Sequence, residues 1–156
     1  MPTPALRETL KKKQPFDSPQ QEAMISLWRL SDWALNRFGQ LFRDYDLTCS
    51  QYNVLRILRG AGEPLPVQEI AARMIQPVPA MTGLIDRLER AGLVERRRTS
   101  ADRRVIHVAL APKTLALLKR LDEPVLELHR TLLGGLTKAE TGDLIRLLEK
   151  AQSGAS

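Results

Sequence analysis

The chain has 156 residues, of which 43% are hydrophobic and 27% charged, and 24 Lys and Arg against 18 Asp and Glu give a net charge of +6. One cysteine, Cys49, excludes an intrachain disulfide, and two isolated histidines, His107 and His129, give no metal-ligand spacing. No run approaches a membrane span or a secretory signal, so the sequence predicts a cytoplasmic, single-domain protein whose basicity suits a polyanionic partner.

Residues 1–17 hold Pro2, Pro4, Pro15 and the run Lys11-Lys12-Lys13, and read as a flexible basic arm. Ser18, Pro19 and Gln21 then form a helix start: a capping serine, a proline in the first turn, and a glutamine placed to complete a capping box. Leu27, Leu30, Ala34, Leu35, Phe38, Leu41, Phe42 and Tyr45 recur at helical spacing. The helix is expected to fill residues 18–46, a length that suits an interface better than a compact core.

Thr48-Cys49-Ser50-Gln51 is a second capping box, opening a helix with Tyr52, Val54, Leu55, Ile57 and Leu58 that Gly60, Gly62 and Pro64 end. A short helix begins near Pro66 or Val67 and carries Ile70, Ala71 and Met74. Pro77 and Pro79 follow, with Pro79 expected in the first turn of a helix over residues 80–91. Met81, Leu84, Ile85 and Leu88 share its apolar face, and Gly92 takes the position just past its end. Residues 93–98 and 104–110 are β-like, joined by the polar loop 99–103, which makes a hairpin wing after a helix-turn-helix. Pro112 starts another helix with Leu115, Leu117, Leu118 and Leu121. Pro124 is expected to kink or break it before Val125, Leu126, Leu128, Leu132 and Leu133 continue to Gly134-Gly135. Thr137 and Glu140 form a third capping box for a last helix with Leu144, Ile145, Leu147 and Leu148, frayed after Gln152.

The fold class is therefore mainly α with a small β-hairpin wing. A winged helix-turn-helix unit over residues 47–111 lies between an N-terminal helix (18–46) and C-terminal helices (112–152). The outer helices have too little within one chain to cover them, and pairing with a second copy resolves this in a two-fold homodimer.

In a helix-turn-helix the N-terminal residues of the second helix meet base edges in the major groove. Here these are Pro79, Ala80, Thr82 and Gly83, with Asp86 and Arg87 a turn further; Met81 belongs to the apolar face. Thr82 can contact a base edge or phosphate, and its methyl can meet a thymine methyl. Arg87 either reaches a phosphate or pairs with a neighbouring glutamate. Few of these side chains read bases bidentately, so affinity should come largely from the DNA backbone. The wing carries Arg96, Arg97, Arg98, Arg103 and Arg104 within nine residues, where a narrow minor groove would attract arginine. Asp102 would repel phosphate unless it pairs with Arg104 and orients it. Ser50, Gln51 and Gln68, at two helix starts, either face phosphates or simply cap.

Leu47-Thr48-Cys49-Ser50-Gln51-Tyr52-Asn53-Val54-Leu55 resembles the opening of the winged-helix domain of the MarR family. The segment from Pro79 to Val94 is similar to that family's recognition helix and turn into the wing, and Asp102-Arg103-Arg104 to its D-x-R wing tip. The resemblance spans roughly residues 25 to 150. It implies a homodimer built through terminal helices, a pseudo-palindromic double-stranded operator, Thr82 in the major groove, and Arg104 in the minor groove buttressed by Asp102. It also implies repression relieved by small phenolic or other aromatic ligands, or by cysteine oxidation. Gly83 stands where relatives are often basic. Ala111 and Thr114 replace the usual Thr and Gly, a change expected to affect only the cap of the next helix.

The family's ligand cavity lies between the dimer helices and the winged domain, which makes Trp28, Trp33, Phe38 and Phe42 candidate lining residues; aromatics so spaced are more often core or interface. Cys49 at a helix start is a candidate redox thiol if the helix lowers its pKa, and otherwise structural. No phosphate loop or nucleophile elbow suggests an enzyme, and no cofactor or metal is expected. The rival readings are a winged-helix module that docks on protein and has given up DNA, and a redox regulator using Cys49.

Overall fold

In the computed structural model the described residues are 5–98, 101 and 104–154. Their elements run α1 (Leu6–Thr9), α2 (Pro19–Arg43), α3 (Cys49–Ala61), β1 (Leu65–Pro66), α4 (Val67–Ala72), α5 (Met81–Arg90), β2 (Val94–Arg98), β3 (Ile106–Leu110), α6 (Pro112–Leu132) and α7 (Lys138–Ser153). No helix among them is long and apolar enough to cross a membrane. The single turn α1 lies within the segment read as an arm.

Side-chain caps set the starts of α2, α3 and α7. Thr48 and Gln51 form a complete box at α3, and Thr137 and Glu140 do so at α7. At α2, Ser18 Oγ accepts from the Gln21 amide at 3.1 Å, but the returning bond goes to the Asp17 amide (2.8 Å) instead of Ser18. Two glycines close helices in the left-handed region that side chains disfavour: Gly62 after α3 and Gly92 after α5, both at φ 70°.

Three expectations are corrected. Helix α5 starts at Met81, with Ala80 at its N-cap making no side-chain cap bond, so Pro79 lies outside the first turn. Of the kink or break expected at Pro124, the break does not occur, since helix α6 runs through the proline. The missing hydrogen bond and ring clash are normally costly, but here buried Leu118, Leu121 and Val125 pin the helix on both sides of the proline. Finally, the hairpin is part of a three-stranded antiparallel sheet of order β1-β3-β2, in which Leu65 faces Val108 and Arg97 faces His107. Two residues ending in proline are too short to announce a strand.

One core unites the winged unit with the outer helices. Leu55 and Val54 of α3, Ile70 of α4, Leu84, Ile85 and Leu88 of α5, and Leu118 and Leu121 of α6 are all fully buried. Phe42 closes the end of α2 onto this core, stacked on Tyr52 with ring centroids 4.2 Å apart. Each such side chain contributes about 1.5–3 kcal/mol relative to exposure. The rest of α2 and all of α7 contain no buried residue. Met24, Trp28 and Trp33 on α2, and Ile145 and Leu147 on α7, are exposed large apolar groups.

Candidate nucleic-acid interface

The first turn of α5 presents the residues that the sequence assigned to a groove. Met81 is buried, as its place on the apolar face required, whereas Pro79, Ala80, Thr82 and Arg87 are exposed. Gly83 is half-buried, yet a Cβ there would meet only Arg87 Nη1 at 3.8 Å, an ordinary van der Waals distance. The glycine is therefore not demanded by packing; it leaves that face of the helix bare. Arg87 makes no ion pair among the described residues, so of its two readings the glutamate pairing is not formed.

The joint between helix and wing is built by an arginine the sequence did not single out. Arg96 on β2 donates from Nη2 to Asp86 Oδ1 (2.5 Å) and from Nη1 to Glu89 Oε1 (3.0 Å), while its backbone amide donates to Glu89 Oε2 (3.1 Å). The hydrogen bond to Asp86, more than the one to Glu89, pushes the guanidinium pKa upward against the opposing effect of burial. Arg96 is thus a fastener between β2 and α5. A signal for it existed: Asp86 and Glu89 lie three apart on one helix face, and Gly92 turns the chain straight back past them.

A second fastener corrects the reading of Thr114 as a cap variation only. It is fully buried, and its Oγ1 donates to the Leu93 carbonyl at 2.6 Å, tying α6 to the turn between α5 and β2. Ala111 provides no side-chain cap, and its amide donates to the same carbonyl at 3.0 Å. Lys113 Nζ donates to the Ala91 carbonyl (3.1 Å) at the end of α5.

Of the remaining wing residues, Arg97 pairs with Glu95 at 2.9 Å on an exposed face, and Arg98 and Arg104 are exposed. Asp102 and Arg103 lie outside the described residues. At α3, Gln51 serves as a cap: its Oε1 accepts from the Thr48 amide at 2.9 Å and its amide donates to Thr48 Oγ1 at 3.1 Å. Ser50 is half-buried, and Gln68 is exposed at the start of α4, which has no side-chain cap.

Between α2, α3 and α6 lies a cavity of about 380 Å³. Of the four aromatics named from the sequence, Phe38 and Phe42 line it; Trp28 and Trp33 do not, and are instead 65% and 47% exposed on α2. Tyr52, Asn53, Arg56 and His129, not foreseen, complete the wall, with the His129 ring 5.1 Å from that of Phe38. Burial raises the Tyr52 pKa, more than Arg59 lowers it, so the phenol remains neutral at the cavity. Cys49 also borders the cavity. Burial pushes its thiol pKa up, outweighing the backbone hydrogen bond at its helix start, which is opposite to the activation a redox thiol needs.

Residues 47–106 match the family model described as MarR family. A MarR transcription factor from Planctomyces limnophilus has 43% identity and a TM-score of 0.66, over 86% of this chain and 98% of that one. The chain belongs to the MarR family. It is accordingly a winged-helix transcriptional regulator, and the MarR family consists of regulators, not enzymes. A homoprotocatechuate degradative operon repressor of Escherichia coli is 28% identical over 126 residues, covering 81% of this chain and 84% of the relative. BpsR of Bordetella bronchiseptica, whose structure concerns regulation of DNA binding by 6-hydroxynicotinic acid, has 27% identity and a TM-score of 0.77, over 89% of this chain and 98% of that one.

Proposed function

We propose that this MarR-family regulator is a cytoplasmic homodimeric repressor that grips a pseudo-palindromic duplex and releases it when an aromatic acid enters the cavity between α2, α3 and α6. The observation that carries the DNA half is the Arg96 joint, which ties β2 to α5 with Thr82, Arg87, Arg97, Arg98 and Arg104 left exposed. Thr82 meets base edges or phosphate in the major groove from the bare first turn of α5, beside Pro79, Ala80 and Gly83. Arg104, with Arg103 next to it and Asp102 as its buttress, takes the minor groove, where narrow width deepens the negative potential. Arg87 and Arg97 bind phosphates, and Ser50 and Gln68 flank them.

Dimerisation is supported by the apolar residues exposed along α2 and α7, helices that one chain leaves uncovered. Repression fits the E. coli relative, which is named a repressor. The ligand half is supported by the cavity's chemistry: three aromatic side chains, two basic ones in Arg56 and His129, and no carboxylate among its lining residues. The likeness to BpsR points the same way.

The test is the Arg103→Ala/Arg104→Ala variant, with binding to duplex DNA measured across a salt series. Affinity should fall sharply, and the slope of log K against log salt should shrink by about 0.9 for each phosphate that the wing no longer neutralises. Unchanged affinity and slope would remove the wing from the interface.

A further inference from the structure

Asn53 is a polar residue set in the core of α3, only 7% exposed, and it reaches two places at once. Its Oδ1 accepts from the backbone amide of Ile75 at 2.9 Å, across 22 positions of sequence. Ile75 lies in the connection between α4 and α5, the segment that delivers the chain into the recognition helix. That helix has no side-chain cap of its own, so the approach of the connection fixes where it starts. The other end of the same amide, Nδ2, is buried with no hydrogen-bond partner among the described residues. Both Asn53 and Ile75 border the aromatic cavity.

A buried amide donor with no acceptor is costly, and a chain does not bear it without reason. Arg56 and His129, which line the same cavity, suit it to an anionic ligand. We infer that Asn53 is the positioning residue that couples the cavity to the recognition helix: Oδ1 holds the connection before α5 through Ile75, and Nδ2 donates to the carboxylate or phenolate oxygen of the bound aromatic acid. An acceptor that draws Nδ2 toward the ligand turns the whole planar amide, so Oδ1 leaves Ile75 and the start of α5 is released. The second half of this inference rests on the aromatic-acid reading of the cavity; the first half does not.

Two arms separate the halves. Without ligand, Asn53→Ala should speed hydrogen exchange at the Ile75 amide at least tenfold and weaken duplex binding several-fold. Asn53→Asp keeps an acceptor for Ile75 and should restore both to near wild type. Wild-type exchange and affinity in Asn53→Ala, or no rescue by Asn53→Asp, would overturn the latch. In the second arm, 6-hydroxynicotinic acid is the probe. It should weaken DNA binding by the wild type, and its effect should vanish in Asn53→Asp, where a carboxylate replaces the donor. A response in Asn53→Asp equal to wild type would overturn the donor role. A wild type that does not bind the probe would overturn the donor role together with the aromatic-acid reading, while the exchange data decide the latch independently.

Discussion

Replacing Arg96 by methionine keeps the packing of its aliphatic stem and removes the two side-chain hydrogen bonds that tie the wing to α5. The Arg96 side chain is 24% exposed and each carboxylate partner 42%, so each bond is worth less than a buried charge-assisted bond and more than a solvated surface pair. Interpolating between about 1.5–3 and about 0.2–1 kcal/mol gives about 1 kcal/mol per bond, or about 2 kcal/mol for both. For a chain of this size that lowers Tm by about 4–8 °C, measured at a fixed chain concentration because a dimer's melting depends on it. The backbone amide of Arg96 still reaches Glu89, so the strand stays paired with the helix while their mutual angle loosens. Duplex affinity should then fall roughly tenfold. A double-mutant cycle with Asp86→Asn isolates the pair, with an expected coupling of about 1 kcal/mol. A coupling below about 0.3 kcal/mol, or DNA affinity unaffected by Arg96→Met, would refute the joint.

Trp28→Asp should convert the dimer to monomer in sedimentation at micromolar concentration, because covering the exposed part of that ring, roughly 150 Å², contributes about 3–4 kcal/mol per chain; a dimer that survives would place the interface elsewhere. Cys49 should react with an alkylating agent at pH 8 at least about tenfold more slowly than an unstructured thiol, since burial raises its pKa. Equal rates would show that the thiol is not shielded. Glu140 accepts from the Thr137 amide (2.7 Å) and hydroxyl (2.8 Å), and these bonds hold its pKa below the ordinary carboxylate value. Its contribution is therefore present above the unfolded pKa and lost as pH falls through the lower folded one. Glu140→Gln should flatten that acid limb of α7 stability, read by amide exchange as pH falls from neutral through the carboxylate range, and an unaltered limb would count against the cap.

What could be read from the sequence was whatever is encoded locally. The box residues Thr48–Gln51 and Thr137–Glu140 act over one helical turn, and the periodic leucines of α5 and α6 mark a buried face without reference to the rest of the chain. The residues that hold the interface together are non-local, and these escaped. Arg96 looks like one more wing arginine until β2 is laid against α5, and Asn53 looks like a surface polar residue until the connection before α5 folds over it. Thr114 looks like a helix-start variant, yet its partner is Leu93, 21 positions away. Pro124 illustrates the same point: local chemistry forecasts a kink or a break, and tertiary packing of Leu121 and Val125 carries the helix through without a break. The aromatics of α2 divided by depth, with Phe38 and Phe42 turned to the cavity and Trp28 and Trp33 to the outside, a division set by which end of α2 meets α3.

The central claim is that two chains together straddle one duplex with paired helices and wings. It is tested most directly by footprinting the wild-type protein, at stated salt, on a duplex selected from random sequence, with the stoichiometry of the same complex measured in solution. Two chains per duplex, protecting two half-sites on one face with centres about 34 Å apart, is the expected result. A single chain on a single half-site, or no protection of any duplex at low ionic strength, would contradict it.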